Sequence, residues 1–105
     1  MYISEIQKHA HDIAVKSGWW DGPRTTSECL INMIGELSEA WEAFRSRNPK
    51  SIKIPPFSHL EEELADTIIR ILDFAEQHGY NIERAIAAKM AYNKNRPYRH
   101  GNKVA

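Results

Sequence analysis

A chain of 105 residues in which 14 lysines and arginines balance 14 aspartates and glutamates fits one domain with a modest core, and it carries no global field to draw nucleic acid or an anionic membrane. No apolar run reaches membrane-spanning length, and the segment from Met1 to Glu5 has neither the basic region nor the apolar core of a signal peptide. The single cysteine, Cys29, has no internal disulfide partner and no thiolate neighbour for a metal, so it is expected as a buried thiol in a cytoplasmic protein.

The first element is a helix over about residues 2–17, in which Ile3, Ile6, Ala10 and Ile13 keep helical spacing until Ser17-Gly18 stops them. His9 and His11 lie on it with no partner at metal-ligand spacing, and both are expected as ordinary helical histidines. In the connector Trp19-Trp20-Asp21-Gly22-Pro23-Arg24 one tryptophan is expected to cover the core; for the other, a structural role is favoured over offering a stacking face to a flat ring. Thr25, Thr26 or Ser27 then caps a second helix over residues 26–47, which Asn48-Pro49 ends. Its apolar stripe is Leu30, Ile34, Leu37, Trp41 and Phe44, spaced by four, three, four and three and expected to lie on the core. Glu36 and Glu39 are off that stripe, about 60° apart, on a lateral face shared with Ala40 and Ala43.

The loop from Pro49 to Ser58, with Pro55-Pro56, Lys50 and Lys53, has no periodicity and is expected as a stiff surface loop bordering the groove. Ser58, with Glu61 as its capping-box partner, starts a third helix over residues 59–78, ended by His78-Gly79. Leu60, Leu64, Ile68, Ile71 and Ala75 form its stripe, and Glu63 and Asp66 stand to Leu64 as Glu36 and Glu39 stand to Leu37. A fourth helix over residues 81–95 is capped by Asn81. Its stripe runs Ile82, Ile86, Lys89, Asn93 and Arg96, turning polar at Lys89, before Pro97 ends it and a polar tail occupies residues 97–105. From Arg84 onward the chain has basic side chains and no acidic one.

If helices two and three pack antiparallel through equivalent stripes, the four acids face one another across a single groove. Carboxylates so crowded repel unless cations neutralise them, and an all-oxygen set suits Mg²⁺ or Mn²⁺ better than zinc. The plain alternative is a solvated E-x-x-E helix face, with part of the Glu61-Glu62-Glu63 cluster merely complementing a helix start. The basic C-terminal block likewise reads either as a solvated tail or as a phosphate-binding rim opposite the acids.

Gly35-Glu36-Leu37-Ser38-Glu39-Ala40, followed by Glu62-Glu63-Leu64-Ala65-Asp66, resembles the E-x-x-E … E-x-x-D signature of the all-α nucleoside triphosphate pyrophosphohydrolases, the MazG-like group. The segment from Lys89 to Gly101 resembles the K-x-x-x-N-x-x-R-P-Y segment of small members of that group. The resemblance implies a four-helix, bundle-like all-α protomer assembling as a homodimer or homotetramer. It implies Mg²⁺ held by Glu36, Glu39, Glu63 and Asp66, and cleavage of a nucleoside triphosphate between the α and β phosphates to the monophosphate and pyrophosphate. Lys89, Asn93 and Arg96 would contact phosphate or sugar, and Trp20 would stack on the base. The Pro-rich loop between the motifs and Ser46 just after helix two depart from the pattern and bear on base specificity.

The chemistry agrees with this assignment, because a polyphosphate repels its nucleophile and the site must neutralise charge, hold water in line and stabilise the leaving pyrophosphate. Glu36 or Glu39 is expected to orient or deprotonate that water, with Lys89 and Arg96 stabilising the leaving group. The competing reading is a non-catalytic helical interaction or regulatory module. A di-iron bundle is disfavoured by the absence of E-x-x-H pairs, and a nucleic-acid binder by the neutral charge and lack of a recognition motif.

Overall fold

The computed structural model describes residues 2–97, which form four α-helices and, among them, no strand beyond an isolated bridge between Lys50 and Ser58. They are α1 (Ile3–Lys16), α2 (Thr26–Arg45), α3 (His59–Gln77) and α4 (Ile82–Lys94), so the chain is all-α. The tail expected beyond Pro97 lies outside the described residues.

The starts of α2, α3 and α4 each have a local cause, whereas Tyr2 before α1 makes no side-chain cap. The Thr25 side chain accepts from the Glu28 N–H at 3.1 Å. Ser58 Oγ accepts from the Glu61 N–H at 3.1 Å while Glu61 Oε1 accepts from the Ser58 N–H at 3.0 Å, a complete capping box. Asn81 Oδ1 accepts from the Arg84 N–H at 3.0 Å. The ends are as local: α2 stops at Arg45, two residues short of the expected end, because Arg47 and Asn48 turn left-handed at φ 65° and 50° and the Asn48 N–H bonds the Ala43 carbonyl at 2.8 Å. Gly79, at φ 71°, turns the chain out of α3.

α3 is the central rod, flanked by α1 and α2, and α4 leans chiefly on α1. The neighbours run antiparallel to α3: Gln7 bonds Glu76 and His11 bonds Asp73 on one side, while Glu36 bonds Arg70 and Glu39 approaches Glu63 on the other.

α2 does not meet α3 through the stripe expected to form the core. Buried on α2 are Cys29, Ala40 and Ala43, whereas Leu30, Ile34, Leu37, Trp41 and Phe44 turn outward, Ile34 61 % and Phe44 60 % exposed. On α3, Leu64, Ile68 and Ile71 also face out, Ile68 by 56 %, while Leu72, Asp73 and Ala75 are inside with Glu62 and Glu63. The physical reason is that small side chains let the two backbones approach along the acidic face, and Arg70, Ser51 and His59 satisfy the carboxylates there. Periodicity identifies an apolar stripe but not whether the same chain covers it. The buried hydrophobic set is correspondingly thin, namely Ala10, Cys29, Ala40, Ala43, Leu72 and Ala75. Trp41 and Phe44 stack on each other on the open face, their rings 5.8 Å apart.

Candidate active site

α2 contributes Glu36 and Glu39, and α3 contributes Glu63 and Asp66; the four line one open cavity of about 340 Å³. Carboxylate oxygens of Glu36, Glu39 and Glu63 lie within 4.8 Å of one another. The E-x-x-E and E-x-x-D spacings put each pair on one face of its helix, and the antiparallel contact brings the faces together. Glu36, Glu39 and Glu63 form the close group and Asp66 lines the same cavity outside it, brought there by close packing of the acidic faces rather than of the apolar stripes.

The electrostatics of this cluster are those of a site short of positive charge. Glu63 is 4 % exposed; His59 Nε2 lies 2.9 Å from its Oε1, while Oε2 is buried with no hydrogen-bond partner. Burial and the nearby Glu39 push its carboxyl up to about 7, against the hydrogen bond from His59, which acts the other way. Asp66 is raised by burial and by the charges of Glu36 and Glu62, with Lys53 and Arg70 opposing. A buried acceptor without a donor, among crowded oxygens, fits a hard divalent cation held by these four acids. His59, Glu62 and Glu63 form a second close group, but there Ser51 Oγ already donates to Glu62 Oε1 at 2.6 Å.

Two cations line the cavity that the motifs did not single out. Arg70 Nε donates to Glu36 Oε1 at 2.7 Å, and Lys53 reaches in from the loop before α3. Arg70 stands one helical turn after Asp66 and His59 one turn before Glu63, so both were readable from i,i+4 spacing. Of the tryptophan pair it is Trp19 that lines the cavity, with the Arg70 guanidinium 4.7 Å from its ring centre. Trp20 does not line it, but donates its indole N–H at 2.9 Å to Oδ1 of Asp73, which does. Lys89, Asn93 and Arg96 are not brought to this cavity by their own chain. They lie on or just after α4, where no residue is buried, and Lys89 and Arg96 pack on the Tyr92 ring at 4.7 and 5.7 Å.

No protein-family model matches the chain, and no solved structure matches it. Among curated proteins it is similar to dCTP pyrophosphatase 1 of Rattus norvegicus and to dCTP pyrophosphatase 1 of Mus musculus, 26% identical to each over 98 residues, which is 90% of this chain and 58% of the relative. The chain thus spans less than two thirds of the length of these relatives. This distant likeness, over nearly the whole chain, supports the resemblance that the two acidic motifs carry.

Proposed function

We propose that the chain is a Mg²⁺-dependent nucleotide pyrophosphohydrolase, converting a nucleoside triphosphate to the monophosphate and pyrophosphate. The observation that carries this reading is the convergence of four acids from two helices on one cavity, with a buried Glu63 oxygen lacking a partner. The distant likeness to dCTP pyrophosphatase 1 supports it. Glu36, Glu39, Glu63 and Asp66 would hold Mg²⁺, or Mn²⁺, which when bound offsets phosphate charge and makes water more acidic.

The chain's own groups then divide the work. Arg70 already engages Glu36, which leaves the more exposed Glu39 to take a proton from water attacking the α-phosphorus. Arg70 and Lys53 face the polyphosphate from the cavity wall. Trp19, which lines the cavity, would pack on the base, with Trp20 bonded to Asp73 of the same cavity. Lys89, Asn93 and Arg96 would meet phosphate or sugar from a neighbouring copy in a homodimer or homotetramer, since none of them lines the cavity of its own chain. The exposed stripes of α2 and α3 are the surface such an assembly would cover. We place the reaction in the cytoplasm, with nucleotides rather than nucleic acid or membrane as partner; among the described residues no helix is long and apolar enough to cross a membrane.

The same exposed stripes favour the second reading, a non-catalytic helical module that binds a protein. A panel of ribo- and deoxynucleoside triphosphates, assayed with and without Mg²⁺ and with both products identified, separates the two. The proposal expects monophosphate and pyrophosphate from at least one triphosphate, in Mg²⁺ only. Diphosphate with inorganic phosphate, or no product at all, overturns it.

A further inference from the structure

The loop over residues 49–58 has neither a helical nor a strand period, yet its path is tied down from both ends. The His59 N–H bonds the Pro49 carbonyl at 2.7 Å, the Leu60 N–H bonds Asn48 Oδ1 at 2.8 Å, and the Ser51 N–H bonds the Phe57 carbonyl at 2.8 Å. At its centre is Ser51, only 3 % exposed although it stands in a loop. Its Oγ donates to Glu62 Oε1 of α3 at 2.6 Å and accepts from the Ile54 N–H at 3.0 Å. One hydroxyl thus closes the turn Ser51-Ile52-Lys53-Ile54 and fastens it to the helix that carries Glu63 and Asp66. A loop that served only to join two helices would not need a buried carboxylate to hold it.

The turn sorts its side chains. Ile52 is 96 % exposed, whereas Lys53, next to it, lines the acid cavity, where its charge opposes the rise of the Asp66 carboxyl. Arg70, across the same cavity, is bonded to Glu36, while Lys53 makes no salt bridge among the described residues. An ammonium without a fixed partner is the group that turns to an incoming anion at least cost. Its place along the groove also matters. The Lys53 turn is anchored at Glu62, whereas Trp19 packs against Arg70, and residues 62 and 70 of one helix stand about 12 Å apart along its axis. With Trp19 at the end that takes the ring, the far end of a triphosphate falls to Lys53.

We propose that Ser51 and Glu62 form a latch that holds Lys53 at the end of the cavity taken by the β and γ phosphates, so that Lys53 binds the departing pyrophosphate and the latch pair are its positioning residues. This rests on the nucleotide reading above. The test uses pyrophosphate and the nucleoside monophosphate as product inhibitors of Mg²⁺-dependent hydrolysis by the full chain. Lys53→Ala is expected to raise the inhibition constant of pyrophosphate about ten-fold and to leave that of the monophosphate native. Ser51→Ala is expected to raise the pyrophosphate constant about three-fold and to add nothing in the double variant with Lys53→Ala, since it acts only through that side chain. Glu62→Gln, which keeps an acceptor oxygen for the Ser51 hydroxyl, retains the native constants, and Glu62→Leu behaves as Ser51→Ala.

Native pyrophosphate inhibition in Lys53→Ala overturns the proposal, as does a loss equal for both products or confined to the monophosphate, which would reverse the direction of the substrate. So does additivity of Ser51→Ala with Lys53→Ala, the mark of a merely structural serine. A loss of Mn²⁺ affinity in Glu62→Gln as large as that in Glu63→Gln would make Glu62 a metal ligand and also overturns it. Should Ser51→Ala not fold, Lys53→Ala at its exposed position and the pair Glu62→Gln and Glu62→Leu carry the same expectations. If no triphosphate is hydrolysed the catalytic reading fails alone, and calorimetric titrations of pyrophosphate and monophosphate in Mg²⁺ then supply the same comparison.

Discussion

Burying Glu63 with one oxygen unbonded costs stability that an amide or apolar residue there would not, and the cost shows as a carboxyl pushed from 4.5 to about 7. Because the folded value is the higher one, the folded chain holds this proton more tightly between those two pH values. The contribution favours folding below the usual carboxylate range and is lost as pH rises through about 7. Without divalent cations, Glu63→Gln is therefore expected to melt higher than the native chain at pH 8 and to match it near pH 5. Adding Mn²⁺ at pH 8 raises the native melting temperature and leaves that of Glu63→Gln nearly unchanged. Thermal melts at the two pH values decide it; a variant that melts lower at pH 8 contradicts the account. At this scale the four acids were legible in the sequence because i,i+3 spacing on a helix is a geometric statement. The contacts of Asp73 with His11 and Trp20 were not, because His11 and Asp73 stand 62 positions apart and the connector holding Trp19 and Trp20 has no periodicity to show which ring lines the cavity.

Helix starts are decided by neighbours in sequence, which is why Ser58 with Glu61 and Asn81 could be identified as caps before any contact was known. Ser58→Ala is expected to cost about 1 kcal/mol of stability and to lower the melting temperature while leaving Mn²⁺ affinity unchanged, since Glu61 points away from the acid cavity. A loss of metal affinity as large as that in Glu63→Gln would show that α3 needs its first turn to place Glu63. Which face a helix buries is a different question. α2 carries two usable faces, one large and apolar, one small and acidic, and only the second is turned toward α3. The apolar stripe was visible in the sequence, but its partner was not, because nothing in one chain's periodicity says whether the covering surface belongs to that chain.

For the molecule as a whole, the consequence is a chain whose largest side chains are at its surface. Ile34, Trp41 and Phe44 on α2 and Leu64 and Ile68 on α3 are all exposed, more apolar surface than a lone soluble chain ordinarily leaves open. Light scattering at micromolar concentration is expected to give at least a dimer, and Trp41→Glu to shift it toward the monomer; a native monomer would contradict this. The basic residues of α4, which do not line the cavity of their own acids, make a sharper prediction. Lys89→Ala and Glu39→Gln chains, each inactive alone, should regain up to about a quarter of native activity when mixed, since half the dimers would be mixed and each would hold one intact site. No recovery on mixing would mean that Lys89 serves its own cavity or none.

The most direct measurement is Mg²⁺-dependent pyrophosphate release from the preferred triphosphate by the native, Glu39→Gln and Asp66→Asn chains, with helical content checked by circular dichroism. The account predicts that both variants stay helical and lose activity by about 100-fold or more. Native Mg²⁺-dependent turnover in both variants would contradict it.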